Sequence, residues 1–586
     1  MADISLFWDV GLVIVTATVL AYVARLLRQP ILMAYMIAGI LIGPMGYGLI
    51  SEPETIKILS EFGIAFLLFI VGLELDLRRL KDLGLAATST AFAKSILLFA
   101  VGFLVAQNIG YSNMEAIYIG LTLALSSTMI VIKLLSDKGE LDTLHGRVVL
   151  GILLTEDVIA IMALSILSGQ DGFTGSMIAA SILKGLGLFF IAFFLSRFVL
   201  PSILRFVAKS TEMLFLTALS LCFLFSFLAD MSGFSIAIGS FIAGISVATF
   251  PYNIEIVSRL RSLRDFFVTI FFVSLGMEIW VSDISRIILP LVVFVAIIIA
   301  LKPIIIMAIT SLYGYGRRTS FLTSISLTQI SEFSLIIAIQ GVALGHISPE
   351  IFSLIALMAV ITFTLTSYMI EFDNSIYKLV SKALVPFERL SMRELVLEDV
   401  PIKHTKHAVV CGCHRMGYSI VKMLRKEKKP TLVIDFNPDI VRKLIDEGYH
   451  TIYGDIGDME IINRMGLPDA EMIISTIPDQ EDNLLLVKEA KSRNPDALVF
   501  VNAETLNHAL ELYNIGADYV IFPRMVAGEK VSDIIDDVAR SPEHLSKTKL
   551  EHIKNLESLF EEELLEKYSP SFLKSIEKKF DGRRRK

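Results

Sequence analysis

The sequence predicts an all-α polytopic membrane domain of about 13 spans, with inverted repeats and two discontinuous helices, followed by an α/β doubly wound domain. Three observations carry that prediction. Hydrophobic residues make up 54% of the 586, and mean hydropathy is +0.65. The apolar excess stops near Glu371, and from Ala408 short strands alternate with amphipathic helices. The reading divides the chain into a membrane domain (1–375), a linker (376–405), an α/β domain (406–535) and a charged, helical C-terminal tail (536–586).

Runs of roughly 20 apolar residues, the length that crosses a bilayer, place spans at 7–27, 31–49, 56–76, 85–106, 115–135, 148–168, 175–198, 212–230, 234–250, 266–281, 287–312, 320–343 and 350–371. Alternate connections carry the basic residues: Arg25 and Arg28; Arg78, Arg79 and Lys81; Lys133, Lys138 and Arg147; Arg197, Arg205 and Lys209; Arg259, Arg261 and Arg264; Arg317 and Arg318. Basic loops stay in the cytoplasm. The expectation is a multi-pass protein of the cell membrane with its N-terminus outside and its C-terminal domain inside. Asp3 and Asp9 precede or open the first apolar run, with no basic n-region or cleavage site, so that span is expected to remain in the mature chain. A net charge of -7, mixed in sign, points to no nucleic-acid partner. Cys222, Cys411 and Cys413 form no disulfide framework and read as packing residues.

A weak repeat runs through the membrane part. IAGI at Ile37–Ile40 recurs at Ile242–Ile245, and GLEL from Gly72 recurs as GMEI from Gly276, at offsets of 205 and 204 residues. The paired spans run in opposite directions, the signature of inverted-topology repeats. The same offset carries Ser127, in LALSSTMIV, onto Ser331, in LTQISEFSL. Both spans interrupt their apolar run at mid-depth, which predicts broken helices whose ends face an ion site. Ser126, Ser127 and Thr128 could otherwise bond back to their own helix.

Glu156 and Asp157 stand together inside GRVVLGILLTEDVIAIMALSIL. A carboxylate at bilayer depth costs about 2.5–3.5 kcal/mol on insertion scales, so it is kept where it lines an ion path or meets a partner. Neighbours on a helix point about 100° apart. One acid is therefore expected to hold a cation while the other meets an internal base, and Lys302, followed by Pro303, is the expected base. Thr128 and Ser127 can supply oxygens to the ion. Gln329 and Glu332 lie at mid-depth in the twelfth span, with Glu332 a further partner for Lys302. Lys94 occupies a place near that of Lys302 in the other repeat and is expected to compensate carbonyl dipoles or to snorkel to the surface. No structural metal and no catalytic centre are expected.

The ordered strings GILIGP, LLFIVGLELDLRRL, LALSSTMIVIKLL, LLTEDVIAI, FIAGISVA, FFVSLGMEIW and TQISEFS resemble the monovalent cation:proton antiporter-2 family, and within it the Kef-type potassium efflux systems. The resemblance reaches to about residue 530. It implies a secondary antiporter that exchanges a monovalent cation, K⁺ in preference to Na⁺, for H⁺ by an elevator-like motion of a mobile core past a dimerisation layer. It further implies that Asp157 binds the ion and proton and that Lys302 matches the lysine paired with the first acid. Electrogenic sodium antiporters have Asp at that first position and Kef systems have Gln, so Glu156 follows neither.

In the second part, HAVVCGCHRMGYSIVKMLRKEKKPTLVIDF reads as strand, glycine turn, helix and strand, with Asp435 closing the second strand. An acid there meets a ribose hydroxyl, and the helix opening near Gly417 offers its N-terminus to phosphate. The turn is G-x-H-x-x-G, with His414 in place of the middle glycine. With the later segments AEMIISTIPDQEDN, ALVFVNAE and ADYVIFPRMVAG, the region resembles the regulator-of-potassium-conductance (TrkA N-terminal) domain, a Rossmann-like fold. That resemblance places Gly412, His414, Arg415, Met416, Gly417, Asp435, Phe436, Asp455 and Thr476 around a nucleotide cleft. An adenine nucleotide (AMP, ADP or ATP) is expected as regulator ahead of NAD(H), because His414 opposes close approach of a pyrophosphate. Arg415 falls where Kef domains have an arginine beside their glutathione site. A homodimer through both domains is expected. The competing readings are a ligand-gated cation channel, which would need a filter such as TVGYG that the chain lacks, and a tethered nucleotide sensor that moves no ion.

Overall fold

The computed structural model describes residues 2–50, 53–74, 84–138, 140–141, 143–167, 187, 190–207, 210–232, 234–248, 250, 253–280, 284–381, 383–388, 406–413, 415–436, 438–454, 456–457, 459–540, 549 and 552–553. The membrane part and the α/β part are described in turn.

Each predicted span meets a helix, except that most of the seventh lies outside the described residues. Among those residues nine helices are long and apolar enough to cross a membrane, and three shorter apolar helices, Ile31–Ile42, Ile236–Ala248 and Glu332–Ala343, accompany them. Their limits follow local chemistry. Ile31–Ile42 stops at Gly43, earlier than expected, because Pro44 cannot continue a helix. Ser112 and Glu115 form a capping box at the head of Asn113–Ala124. Two helices outrun the apolar count: Phe190–Val207 carries Arg197 and Arg205, and Asn253–Met277 carries Arg259, Arg261 and Arg264, so these expected loop residues are helical. Just before Pro303 the helix widens into a π-turn, Ile297–Leu301, which relieves the clash of the proline ring with the preceding turn.

The repeat strings mark where helices touch. Asn253–Met277 packs on Pro53–Glu74 and on Ile31–Ile42, and Ile236–Ala248 packs on Pro53–Glu74. At these crossings a Cβ on Gly39 would strike Val273 O and Gly276 Cα, and one on Gly276 would strike Met36 O and Gly39 Cα. Gly72 and Gly244 repeat the arrangement against Phe241 O and Phe69 O. Each pair thus joins an IAGI glycine to the GxEx glycine of the opposite repeat. Backbones can approach this closely only without side chains.

The helices Gly84–Ile109, Leu144–Leu167, Ser285–Leu312 and Pro349–Glu371 pack against the two broken spans. The largest apolar cluster joins residues of both sets, with Met36, Leu68, Phe241 and Phe271 beside Ile130, Ile161, Phe333 and Phe363.

The α/β part is a six-stranded sheet ordered β3-β2-β1-β4-β5-β6, with β1 His407–Cys411, β2 Thr431–Asp435, β3 His450–Tyr453, β4 Ala470–Ser475, β5 Leu498–Asn502 and β6 Tyr519–Ile521. β1 pairs in parallel with β2 and β4, and β5 with β4 and β6. The order reverses between β1 and β4, and that switch point opens a crevice at the strand ends. A helix, Pro523–Arg540, follows the sheet. The expected tail beyond it lies almost wholly outside the described residues.

Candidate functional site

Both interrupted spans are broken where the sequence predicts. The first runs as Asn113–Ala124, an extended Leu125, then Thr128–Lys138. The second runs as Arg317–Ser326, then Glu332–Ala343 with Ser331 extended at its N-cap. Ser331 accepts from Phe333 N–H at 3.1 Å, and Ser127 Oγ accepts from Ile130 N–H at 3.4 Å. The two repeat-related serines therefore cap the two downstream half-helices.

Charges are arranged around the ends by sign. Downstream half-helices present N-termini, partly positive, and upstream ones present carbonyl ends, partly negative. Asp157 sits at the first N-terminus and accepts from Thr128 Oγ1 at 2.9 Å. Glu332 opens the second downstream half-helix and accepts from Met129 N–H of the first at 3.3 Å. The Ser127 hydroxyl lies beside this carboxylate, whose Oε2 is buried without a hydrogen-bond partner. Asp157 and Glu332 are close enough for their charges to act on each other. Within the breaks, Lys302 Nζ donates to Leu125 O at 2.9 Å and to Gln329 O at 2.7 Å. The Gln329 amide also reaches Ser127 O at 3.4 Å.

One expected pairing is overturned. Glu156 faces Lys94, not Lys302: its Oε1 is 2.5 Å from Lys94 Nζ, in an ion pair with both side chains buried. Lys94 does not snorkel, since it is fully enclosed. The reason is packing. Gly84–Ile109, which carries Lys94, lies directly against Leu144–Leu167, which carries Glu156. Lys302 instead bridges the carbonyls of Leu125 and Gln329 in the two breaks, and Glu332 turns to the Met129 amide rather than to Lys302. Ser126, for which the sequence suggests only a bond back to its own helix, has other partners. Its N–H donates to Glu156 Oε2 at 2.7 Å, and its hydroxyl accepts from Lys94 and donates to Leu327 O at 3.2 Å. A lysine buried in the apolar string GLAATSTAFAKSILLF was the available signal for this cluster.

Below the last span, Lys138 Nζ reaches Asp373 Oδ2 at 2.6 Å, Glu140 Oε1 at 3.0 Å and Ile370 O at 3.0 Å, tying the end of the first broken span to the end of Pro349–Glu371. Glu140 also meets His145 at 3.2 Å. Burial pushes the Asp373 carboxyl above its usual value, against the pull of Lys138.

In the α/β part the expected turn is formed. Gly412 has φ +80°, open to glycine at little cost, and its carbonyl would collide with any Cβ on Gly417. Thr476, after β4, closes the other side: its N–H donates to Cys411 O at 2.9 Å and its hydroxyl to Gly412 O at 3.0 Å. Asp435, at the end of β2, is buried, and its carbonyl accepts from Gly454 N–H at 3.1 Å. Phe436 is half-buried and Met416 is exposed. His414, Asp455 and the side chain of Arg415 lie outside the described residues. Asn483, missed in the sequence, is fully buried and ties Ile477 O at 2.8 Å to Asn502 O at 3.0 Å. No group of three or more His, Cys, Asp or Glu among the described residues could hold a metal.

Comparison with known proteins agrees with this division. The profile of the transmembrane sodium/hydrogen exchanger family matches residues 13–372, and that of the TrkA-N domain matches residues 408–523. The membrane protein YbaL of Escherichia coli strain K12 is 27% identical over 526 residues, covering 87% of this chain and 93% of its own. The glutathione-regulated potassium-efflux system protein KefC of the same strain is 26% identical over 492 residues, covering 83% and 78%. The sodium proton antiporter MjNhaP1 of Methanocaldococcus jannaschii aligns with 63% of this chain and 99% of its own at a TM-score of 0.49 and 16% identity.

Proposed function

The chain belongs to the transmembrane sodium/hydrogen exchanger family, and from that premise we propose that it exchanges K⁺, in preference to Na⁺, for H⁺ at Asp157, under control of a nucleotide bound by its TrkA-N domain. It is a cation/proton antiporter with a regulatory TrkA-N domain. The observation that carries the site is the placing of Asp157 against Thr128 at a half-helix N-terminus, with Glu332 alongside and one of its oxygens unpartnered. Oxygens from Asp157, Glu332, Thr128 and Ser127 suit a hard monovalent cation. Two neighbouring carboxylates cannot both stay ionised and unpaired in a dry site, so cation and proton compete for them. The naming of the relative KefC for potassium efflux supports K⁺.

Alternating access is assigned to an elevator-like movement of the helices that carry the breaks past the glycine-packed set. In support, the glycine contacts fasten one set within itself, while the charged contacts at the breaks lie within the other. In the α/β part, the Gly412 turn, Gly417 and Asp435 offer the cradle that an adenine nucleotide requires. A homodimer in the cell membrane, N-terminus outside, completes the reading.

Purified protein in liposomes tests it: internal pH is followed on adding K⁺ or Na⁺, with and without AMP, ADP, ATP or NAD(H). Proton movement driven by K⁺ and changed by one nucleotide supports the proposal. Cation flux indifferent to the proton gradient would sink it in favour of a channel.

A further inference from the structure

Three carboxylates stand near the helix breaks, and Glu156 is held differently from the other two. Its Oε2 accepts from Ser126 N–H, and its Oε1 faces Lys94 Nζ, with the side chains 1% and 0% exposed. Lys94 Nζ also donates to Ala124 O at 3.1 Å and to Ser126 Oγ at 3.0 Å. Lys94 Nζ thus lies against one carboxylate oxygen, in an ion pair, and donates to two neutral oxygens. Lys302 Nζ donates to two backbone carbonyls. The Ser126 hydroxyl in turn donates a hydrogen bond to Leu327 O, so the cluster also ties the first break to the second. Asp157 and Glu332, by contrast, meet a rotatable hydroxyl and a backbone N–H, with no ion pair to either among the described residues.

We infer that Lys94 is a positioning residue that holds Glu156 ionised and stationary, so that Glu156 frames the break between the half-helices and carries none of the exchanged charge. The inference rests on the exchange reading above and narrows it. The pair contributes no net charge at any stage of the cycle, and proton and cation pass through Asp157 with Glu332 beside it. The backbone N–H that Glu156 holds belongs to Ser126, two residues from the Thr128 hydroxyl that touches Asp157. A shift of the pair would therefore move the ion site without any direct contact with the ion.

Removing one partner leaves a lone buried charge, whereas removing both does not. Lys94→Met leaves the Glu156 carboxyl buried without its ion-pair partner. Lys94→Met combined with Glu156→Gln removes both charges and keeps an amide oxygen for Ser126 N–H. Exchange in liposomes is measured across pH, with the membrane potential free and clamped, for wild type, both single variants, the double variant and Asp157→Asn. Each purified protein is also unfolded thermally in detergent. Lys94→Met should slow exchange by about tenfold or more and shift its half-maximal pH by about one unit or more. The double variant should regain the wild-type pH profile and proton-to-cation ratio and melt above either single variant, while Asp157→Asn exchanges nothing. A well-folded double variant as inactive as Asp157→Asn, or one with a changed ratio, overturns the inference by showing that Glu156 carries exchanged charge. A double variant that melts below both singles overturns the pairing. Wild type that moves no protons with any cation would defeat the exchange reading and, with it, the claim about exchanged charge; the thermal cycle keeps that failure distinct from failure of the pair.

Discussion

The carbonyls of Leu125 and Gln329, equivalent positions in opposite repeats, converge on one side-chain nitrogen, Lys302 Nζ, at 2.9 and 2.7 Å. Leu125 caps the end of one upstream half-helix and Gln329 lies in the break after the other, where no following turn supplies an N–H. A single lysine satisfies both carbonyls.

Replacing Lys302 by Met should therefore destabilise the protein even apart from transport. Two buried carbonyls lose their donor, at about 1–3 kcal/mol each. Thermal unfolding in detergent should show a clear loss for Lys302→Met; a melt matching wild type would show that the carbonyls find other partners.

Asp157→Asn should abolish cation-driven proton movement while leaving the melt near that of wild type. Thr128→Val, which removes the 2.9 Å hydroxyl contact but keeps the shape, should weaken apparent cation affinity by about tenfold, the equivalent of roughly 1.4 kcal/mol. Retained exchange in Asp157→Asn would sink the site assignment.

Gly276→Ala should cost about 1–3 kcal/mol, because its Cβ meets Met36 O and Gly39 Cα, both backbone. Gly11→Ala is the control. It has open space around the same atom and should be neutral or stabilising by up to about 1 kcal/mol. Equal effects in thermal unfolding would refute the close-packed crossing.

In the α/β part, Asp518 accepts from Lys491 Nζ and from Val499 N–H, each at 2.7 Å. Burial, the largest single influence, works to raise its carboxyl, but the two donors and the lysine charge together hold it below the usual 3.8. A depressed acid stabilises the fold above its unfolded value and loses that contribution as pH falls through the folded one. The contribution should be complete above about pH 5 and fade below about pH 4. Asp518→Asn should cost about 1 kcal/mol at neutral pH, discounted for its partial exposure. Hydrogen exchange of β5 and β6 in the full chain should show the deficit shrink on acidification; a deficit that grows as pH falls would contradict this origin.

Much of the fold was legible because its signals are local. Apolar run length marked the helices, and the polar interruptions at Ser127 and Ser331 marked both breaks. The GxxxxG turn at Gly412 and Gly417 marked the start of the doubly wound sheet. Helix ends were less legible. Arg259 and Arg197 look like loop residues by charge, yet a helix continues past the apolar zone wherever nothing interrupts its hydrogen bonds. The partner of Glu156 was not legible at all. Sequence pattern favours Lys302 as that partner, and only the packing of Gly84–Ile109 on Leu144–Leu167 brings Lys94 to Glu156 instead.

The sequence by itself determined the division into membrane and α/β parts, the repeat, both helix breaks and the acids at mid-depth, since each is written in periodicity, composition or the local cost of a charge in hydrocarbon. Tertiary structure alone decided which charges meet. Lys94 holds Glu156, Lys302 holds Leu125 and Gln329, and Asp157 keeps Thr128. An ion pair depends on distances between helices far apart in the chain, and those distances are set by packing, to which glycines such as Gly39 and Gly276 contribute by allowing backbones to touch.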